Sequence, residues 1–209
     1  MSRIRLLLGI NIFWLSLGML SNRLNTLVLP AYLLNFPGLQ PSALDLIAFV
    51  GLIAGMLVQP LAGALSDQLR PRWGRMPALG IGVILTLCAM LSLASVRTID
   101  GLFISYTLVQ IAAAIAQAGQ QALLPDLIPT ENPGIGAGLT SFMNIGGMLL
   151  GLALLGYVLE HGGVYRALLA ISISLLATLT LSMMLLRGHL QWPSGRGHMG
   201  LWRAIWVAL

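Results

Sequence analysis

The long apolar runs of this 209-residue chain are interrupted by a few side chains that can form hydrogen bonds and by almost none that carry charge. Asn11, Asn22 and Asn25 fall in the first run, and Tyr106, Gln110, Gln117 and Gln121 in the fourth. On a helix that turns about 100° per residue, Asn11, Gly18, Asn22 and Asn25 lie within an arc of about 60°, and the Tyr106 to Gln121 set shares a comparably narrow stripe. An unpartnered amide in hydrocarbon is costly, so each stripe must face a polar cavity or bond a neighbouring helix as packing glue. Facing a cavity, amides offer donors and acceptors together.

Bond-breaking chemistry has no such footing. An intramembrane enzyme needs paired acids or a Ser with a His inside the membrane. The acids stand at the ends of the runs instead, with Asp45 and Glu160 toward one side and Asp67 and Asp126 toward the other. No proton-coupling carboxylate is assigned by this pattern; Asp45 is the remaining candidate, against a simple place at a helix start. His161, His189 and His198 lack ligand spacing, so no metal is expected, and no cofactor. The single Cys88 excludes internal disulfides and thiolate clusters and reads as a small buried hydrophobe. Arg23, the one charge inside a run, lies about 100° off the asparagine stripe. It either snorkels to the interface or binds an anionic group or a partner's carboxylate.

The elements that must position these groups are membrane helices. The chain is 57% hydrophobic and 8% charged with a mean hydropathy of +0.90, and a water-soluble globule of this size cannot hide that much apolar surface. A span needs about 20 apolar residues. Six windows qualify: Leu6 to Leu29, Leu46 to Leu65, Met76 to Val96, Leu102 to Leu124, Gly136 to Leu159 and Ala167 to Leu186. They are too long and continuous for barrel strands. The segment from Met1 lacks a small-residue cleavage site after a short apolar core, so it reads as an uncleaved first helix. All eleven basic residues are Arg. All but Arg23 lie in the gaps between runs, not with aromatics on a polar element, which argues against a nucleic-acid partner. Arg3, Arg5, Arg70, Arg72, Arg75, Arg187, Arg196 and Arg203 fall on one side, and Arg97 and Arg166 on the other. The positive-inside rule then sets the N-terminus in the cytoplasm, in a multi-pass protein of the plasma (inner) membrane.

Between the second and third runs stands G-A-L-S-D-Q-L-R-P-R-W-G-R, from Gly63 to Arg75, followed by Met76 and Pro77. This resembles the loop signature of the major facilitator superfamily. The form with Ser before Asp and Arg-x-Arg-Trp-Gly-Arg looks like its glycoside and sucrose symporter-like branches, and Gln121-Ala122-Leu123-Leu124-Pro125-Asp126-Leu127-Ile128-Pro129 is similar to their loop after helix four. Gln68 and Met76 depart from the pattern, standing where basic residues are usual. Physically, Gly63 lets two helix ends approach, and Asp67 can pair with Arg75 or face a helix N-terminus. Gly63, Asp67, Gly74 and Arg75 would then latch two helical units, with Arg70 and Arg72 at anionic headgroups.

The resemblance implies an all-α polytopic bundle of two inverted three-helix repeats. Gly156-x-x-x-Glu160 with Arg166 weakly mirrors Gly63-x-x-x-Asp67 with Arg75. Residues 1–187 form the six-helix N-terminal half, and residues 188–209 a cytoplasmic linker and the truncated start of a seventh helix. By resemblance, helices one and four line the central cavity, which makes Asn11, Asn22, Asn25, Tyr106, Gln110, Gln117 and Gln121 the substrate-binding candidates. Gly147-x-x-x-Gly151 in the glycine-rich fifth run reads as a close-packing seam. That run lacks the Gly-Pro pair of the superfamily's drug antiporters, and the fourth lacks their membrane-embedded Arg. The expected function is therefore uptake of a sugar or other small polar solute, coupled to H+ or Na+, by alternating access. The missing half comes from elsewhere or from a second copy; the alternative is an inactive fragment or an accessory membrane subunit.

Overall fold

The computed structural model of the protein describes residues 3–32, 36, 40–73, 76–127 and 133–186. The described chain is an all-α membrane bundle. α1 (Arg3–Arg23) continues through a π turn (Leu24–Val28) into α2 (Leu29–Ala31), and α3 (Pro41–Trp73), α4 (Met76–Ala94), α5 (Ile99–Leu127) and α6 (Pro133–Leu186) follow. The segments Ile4–Ala31, Pro41–Gln68, Ile99–Leu127 and Gly134–Leu186 are long and apolar enough to cross a bilayer, and Ala78–Ala94 is a shorter apolar helix. α6 is two passes joined at Gly163, whose φ of 71° and ψ of −179° break the helix. Only glycine holds that backbone without strain, so the chain reverses there in a single residue.

The π turn follows from Pro30. Proline has no N–H and its ring clashes with the carbonyl four residues back, here Thr26. The ladder widens instead, and Leu29 donates its N–H to the carbonyl of Leu24, five residues behind. Side chains steady the widened turn, with Asn25 Nδ2 donating to Ser21 O at 3.2 Å and Thr26 Oγ1 to Asn22 O at 2.8 Å.

The described residues make six passes in two sets of three, and the odd count leaves the second set antiparallel to the first. The leading helix of each set packs on the last two passes of the other: α1 lies along both legs of α6, and α5 lies against α3 and α4. The α1–α6 seam is closed by absent side chains. A Cβ on Gly147 would overlap the Leu15 carbonyl, and one on Gly18 would overlap the Asn144 carbonyl. On the second leg, Ser182 Oγ donates to Gly9 O at 2.6 Å and Thr178 Oγ1 to Ser16 Oγ at 2.9 Å. Hydroxyl bonds of this kind hold helices where no hydrophobic force separates protein from lipid.

Three sequence expectations need correction. The Gly63 to Trp73 stretch is the last part of α3, not a loop. Gly63 does not mediate a close helix approach, because nothing stands within 4 Å of where its Cβ would be. Cys88 is exposed on α4, facing outward where lipid would lie, not buried. Gly74, Arg75 and residues 187–209, including the seventh-helix start, lie outside the described residues, as do the side chains of residues 69–77.

Candidate functional site

Asn25, Tyr106 and Gln110 meet where the π turn of the first span faces α5. Tyr106 OH donates to Asn25 Oδ1. Gln110 Nε2 donates to Asn25 Oδ1 at 3.1 Å and to Tyr106 OH at 2.6 Å. Tyr106 and Gln110 sit one helical turn apart, so one face of α5 presents both. They are seated by α3: a Cβ on Gly51 would come within 2.6 Å of Tyr106 Cε1 and 3.2 Å of Gln110 Cγ. Tyr106 is fully buried and Gln110 nearly so, while Asn25 is half-buried.

Gln110 also borders a cavity of about 240 Å³ lined by Ser21 of α1, Leu52, Gly55, Met56 and Gln59 of α3, and Ala113, Ala114 and Gln117 of α5. Toward the N-terminal end of the bundle a cleft of about 540 Å³ continues between α3 and α5, past Pro60, Gly63, Asp67, Ala118, Gln121 and Pro125. Gln59 Nε2 donates to Gln121 Oε1 across it at 3.0 Å. Alanine and glycine floor the groove, and Pro60 and Pro125 each remove a ladder bond from a wall.

The asparagine stripe does not act as one surface. Asn11 is fully buried; its Nδ2 donates to Leu7 O at 2.9 Å and its Oδ1 accepts from Thr140 of α6. Gly18 likewise faces α6. Asn22 is half-buried and its carbonyl accepts from Thr26. Of the stripe, only Asn25 joins the Tyr106 cluster. On α5 the stripe divides too: Tyr106 and Gln110 turn to Asn25, whereas Gln117 and Gln121 line the clefts toward α3. Arg23 Nε donates to Met148 O of α6 at 3.0 Å and Nη1 to Thr26 Oγ1 at 3.4 Å. It is a clasp between the first and fifth spans.

Sequence reasoning missed Gln59, although it is the one amide in the apolar stretch of the second span before Gln68. Gln120 was missed as well: it is buried, off the α5 stripe, and donates to Ile10 O. Asp67 is exposed on the cleft wall, and Asp45 is exposed just past the first turn of α3.

The described residues thus form an all-α membrane bundle in which the first span and α5 bring amides to a groove between helices. The chain belongs to the Major Facilitator Superfamily, whose profile matches residues 8–206. It is therefore a transporter chain of a family that moves small solutes across bilayers, and not of an enzyme family. No curated protein sequence matches it closely enough to count as a relative.

Proposed function

We propose that this protein is a secondary carrier for a sugar or similar hydroxyl-rich solute, taken up with H+ or Na+ and bound at the Asn25–Tyr106–Gln110 cluster. The observation that carries the reading is the cluster itself: three neutral polar side chains from two leading helices, its Tyr106 and Gln110 seated on Gly51 and its Gln110 bordering a cavity. A neutral network of donors and acceptors matches hydroxyls and gives a fixed charge no counterpart. Carriers of this architecture bind solute between two six-pass units. The described residues supply one wall, and the other comes from a second unit in the same polypeptide or from a second copy. The arginine bias sets the N-terminal end of the bundle in the cytoplasm. Asp67, at that end, acts with Gly74 and Arg75 as the latch between units.

The test is counterflow of labelled sucrose and D-glucose in proteoliposomes. Saturable exchange that Gln110→Leu reduces by about tenfold or more supports the reading, since a site built to bond hydroxyls loses affinity when a partner is removed. No saturable exchange of either sugar refutes it. Flux rising with the square of protein density would assign the second wall to another copy.

A further inference from the structure

Of the seven residues in the two stripes, the structure gathers three into the cluster and leaves Gln117 and Gln121 apart from it. Gln117 lies about 10 Å and Gln121 about 16 Å along the α5 axis from Gln110. Both turn toward α3, where Gln59 bonds Gln121 and lines a cavity together with Gln117. Among the described residues, Gln59 alone lines both the 240 Å³ cavity and the 540 Å³ cleft. Its Nε2 is engaged by Gln121 Oε1. That one bond leaves Gln59 Oε1 as an acceptor and Gln121 Nε2 as a donor, side by side on the cleft wall.

We propose that Gln59, Gln117 and Gln121 form a second solute station, which adjoins the Asn25–Tyr106–Gln110 cluster through the cavity that Gln110 shares and lies between that cluster and the N-terminal end of the bundle. The proposal rests on the carrier reading above and assigns its ligand class: a small neutral polyol or sugar, held through paired hydroxyls. Three features fit that role. The cleft volume lies in the range of small-molecule sites, about 300–1,000 Å³. Its floor is Gly63, Ala64, Ala118 and Ala122, so no side chain fills it. Most telling is the half-satisfied amide pair: Gln59 and Gln121 hold each other by one bond when the station is empty, and both amides keep donors and acceptors for a solute. A transit site must bind well enough to admit a solute and weakly enough to release it. Amides already bonded to each other meet that requirement better than a charged site would.

Packing glue predicts something different from the same residues. If the Gln59–Gln121 bond only joined α3 to α5, its loss would lower stability and leave solute handling alone.

The experiment is sucrose and D-glucose counterflow in right-side-out and inside-out vesicles, with thermal midpoints recorded for each purified variant. Gln59→Leu is expected to raise the half-saturation concentration about tenfold at the face nearest the N-terminus and to change it less than about twofold at the opposite face. Gln121→Leu, at an exposed position, should reproduce that asymmetry should Gln59→Leu not accumulate, and Gln59→Asn should restore part of it. Gln110→Leu should raise the value at both faces. Equal shifts at both faces, no shift, or a lowered midpoint with unchanged half-saturation would overturn the station while leaving the carrier reading intact. Failure of the unsubstituted protein to exchange either sugar would overturn both.

Discussion

The α1–α6 seam and the α3–α5 groove both join long apolar helices, and each contains glycine, amides and hydroxyls. In the seam the missing side chains let backbones touch: Gly147 admits the Leu15 carbonyl, and Asn11 spends its hydrogen bonds on Leu7 and Thr140. Along the groove the helices close only at Gly51 and Gly55. Beyond Gln59 they leave a cleft in which Gly63 meets nothing. Residue type alone therefore does not separate a structural amide from one available to a ligand. What separates them is whether a backbone or a void lies opposite.

That contrast can be broken most forcefully at Gly147. Gly147→Ala pushes a methyl group into the Leu15 carbonyl, and overpacking of this kind costs about 1–3 kcal/mol or more. For a chain of this size that corresponds to a fall of about 2–12 °C in the thermal midpoint of the detergent-solubilised protein. An unchanged midpoint would show that the seam is not closed.

The cluster gives the next largest effect. Tyr106→Phe removes the hydroxyl that bridges Asn25 and Gln110 but keeps the ring on Gly51. Sugar half-saturation should rise about tenfold, the value of a lost hydrogen bond to a buried site, with expression unchanged. Counterflow at wild-type affinity would remove the cluster from the binding site.

A paired substitution sharpens the division of the asparagine stripe. Asn11→Leu should lower stability by about 1–2 kcal/mol, since Thr140 loses one partner, and leave sugar half-saturation alone. Asn25→Leu should do the reverse. Thermal midpoints and counterflow measured on both variants check the crossover, and a shared pattern would return the stripe to one surface.

The smallest effect belongs to Gly63→Ala. With open space at the Cβ position, alanine gains helix propensity of about 0.5–1 kcal/mol and meets no clash. Melting should be unchanged or slightly raised, in opposition to Gly147→Ala.

Much of the fold was legible because hydrocarbon demands continuous apolar helices: each of the six windows falls on described helix, although the third runs two residues past the end of α4 at Ala94. The ends were less legible. Polar residues such as Ser66, Asp67 and Gln68 continue α3 past the apolar stretch, because a helix need not stop where the hydrocarbon does. Gly163 was hidden among 24 glycines, and a positive φ has no signature beyond the residue type. For the site, the α5 stripe was readable because α5 is regular around Tyr106 and Gln110. The asparagine stripe misled on two counts: a wheel ignores the roughly 20 Å rise from Asn11 to Asn25, and it assumes 100° per residue through a π turn. Neither the neighbour at each height nor the partner of Gln59 on another helix is encoded in spacing along one run.

The π turn has a consequence for how this span tolerates change in length. Its five-residue turn holds one residue more than an α-helix of the same rise requires, so the first span carries the equivalent of a built-in insertion. A single deletion elsewhere in α1 would rotate every later side chain by about 100° away from its partner. Within residues 24–28 the same deletion would regularise the helix, so the span would keep its length and its Pro30 exit while losing the outward bulge that brings Asn25 to Tyr106. The chain's most permissive point for a change in length and its most exacting point for solute recognition are thus the same five residues.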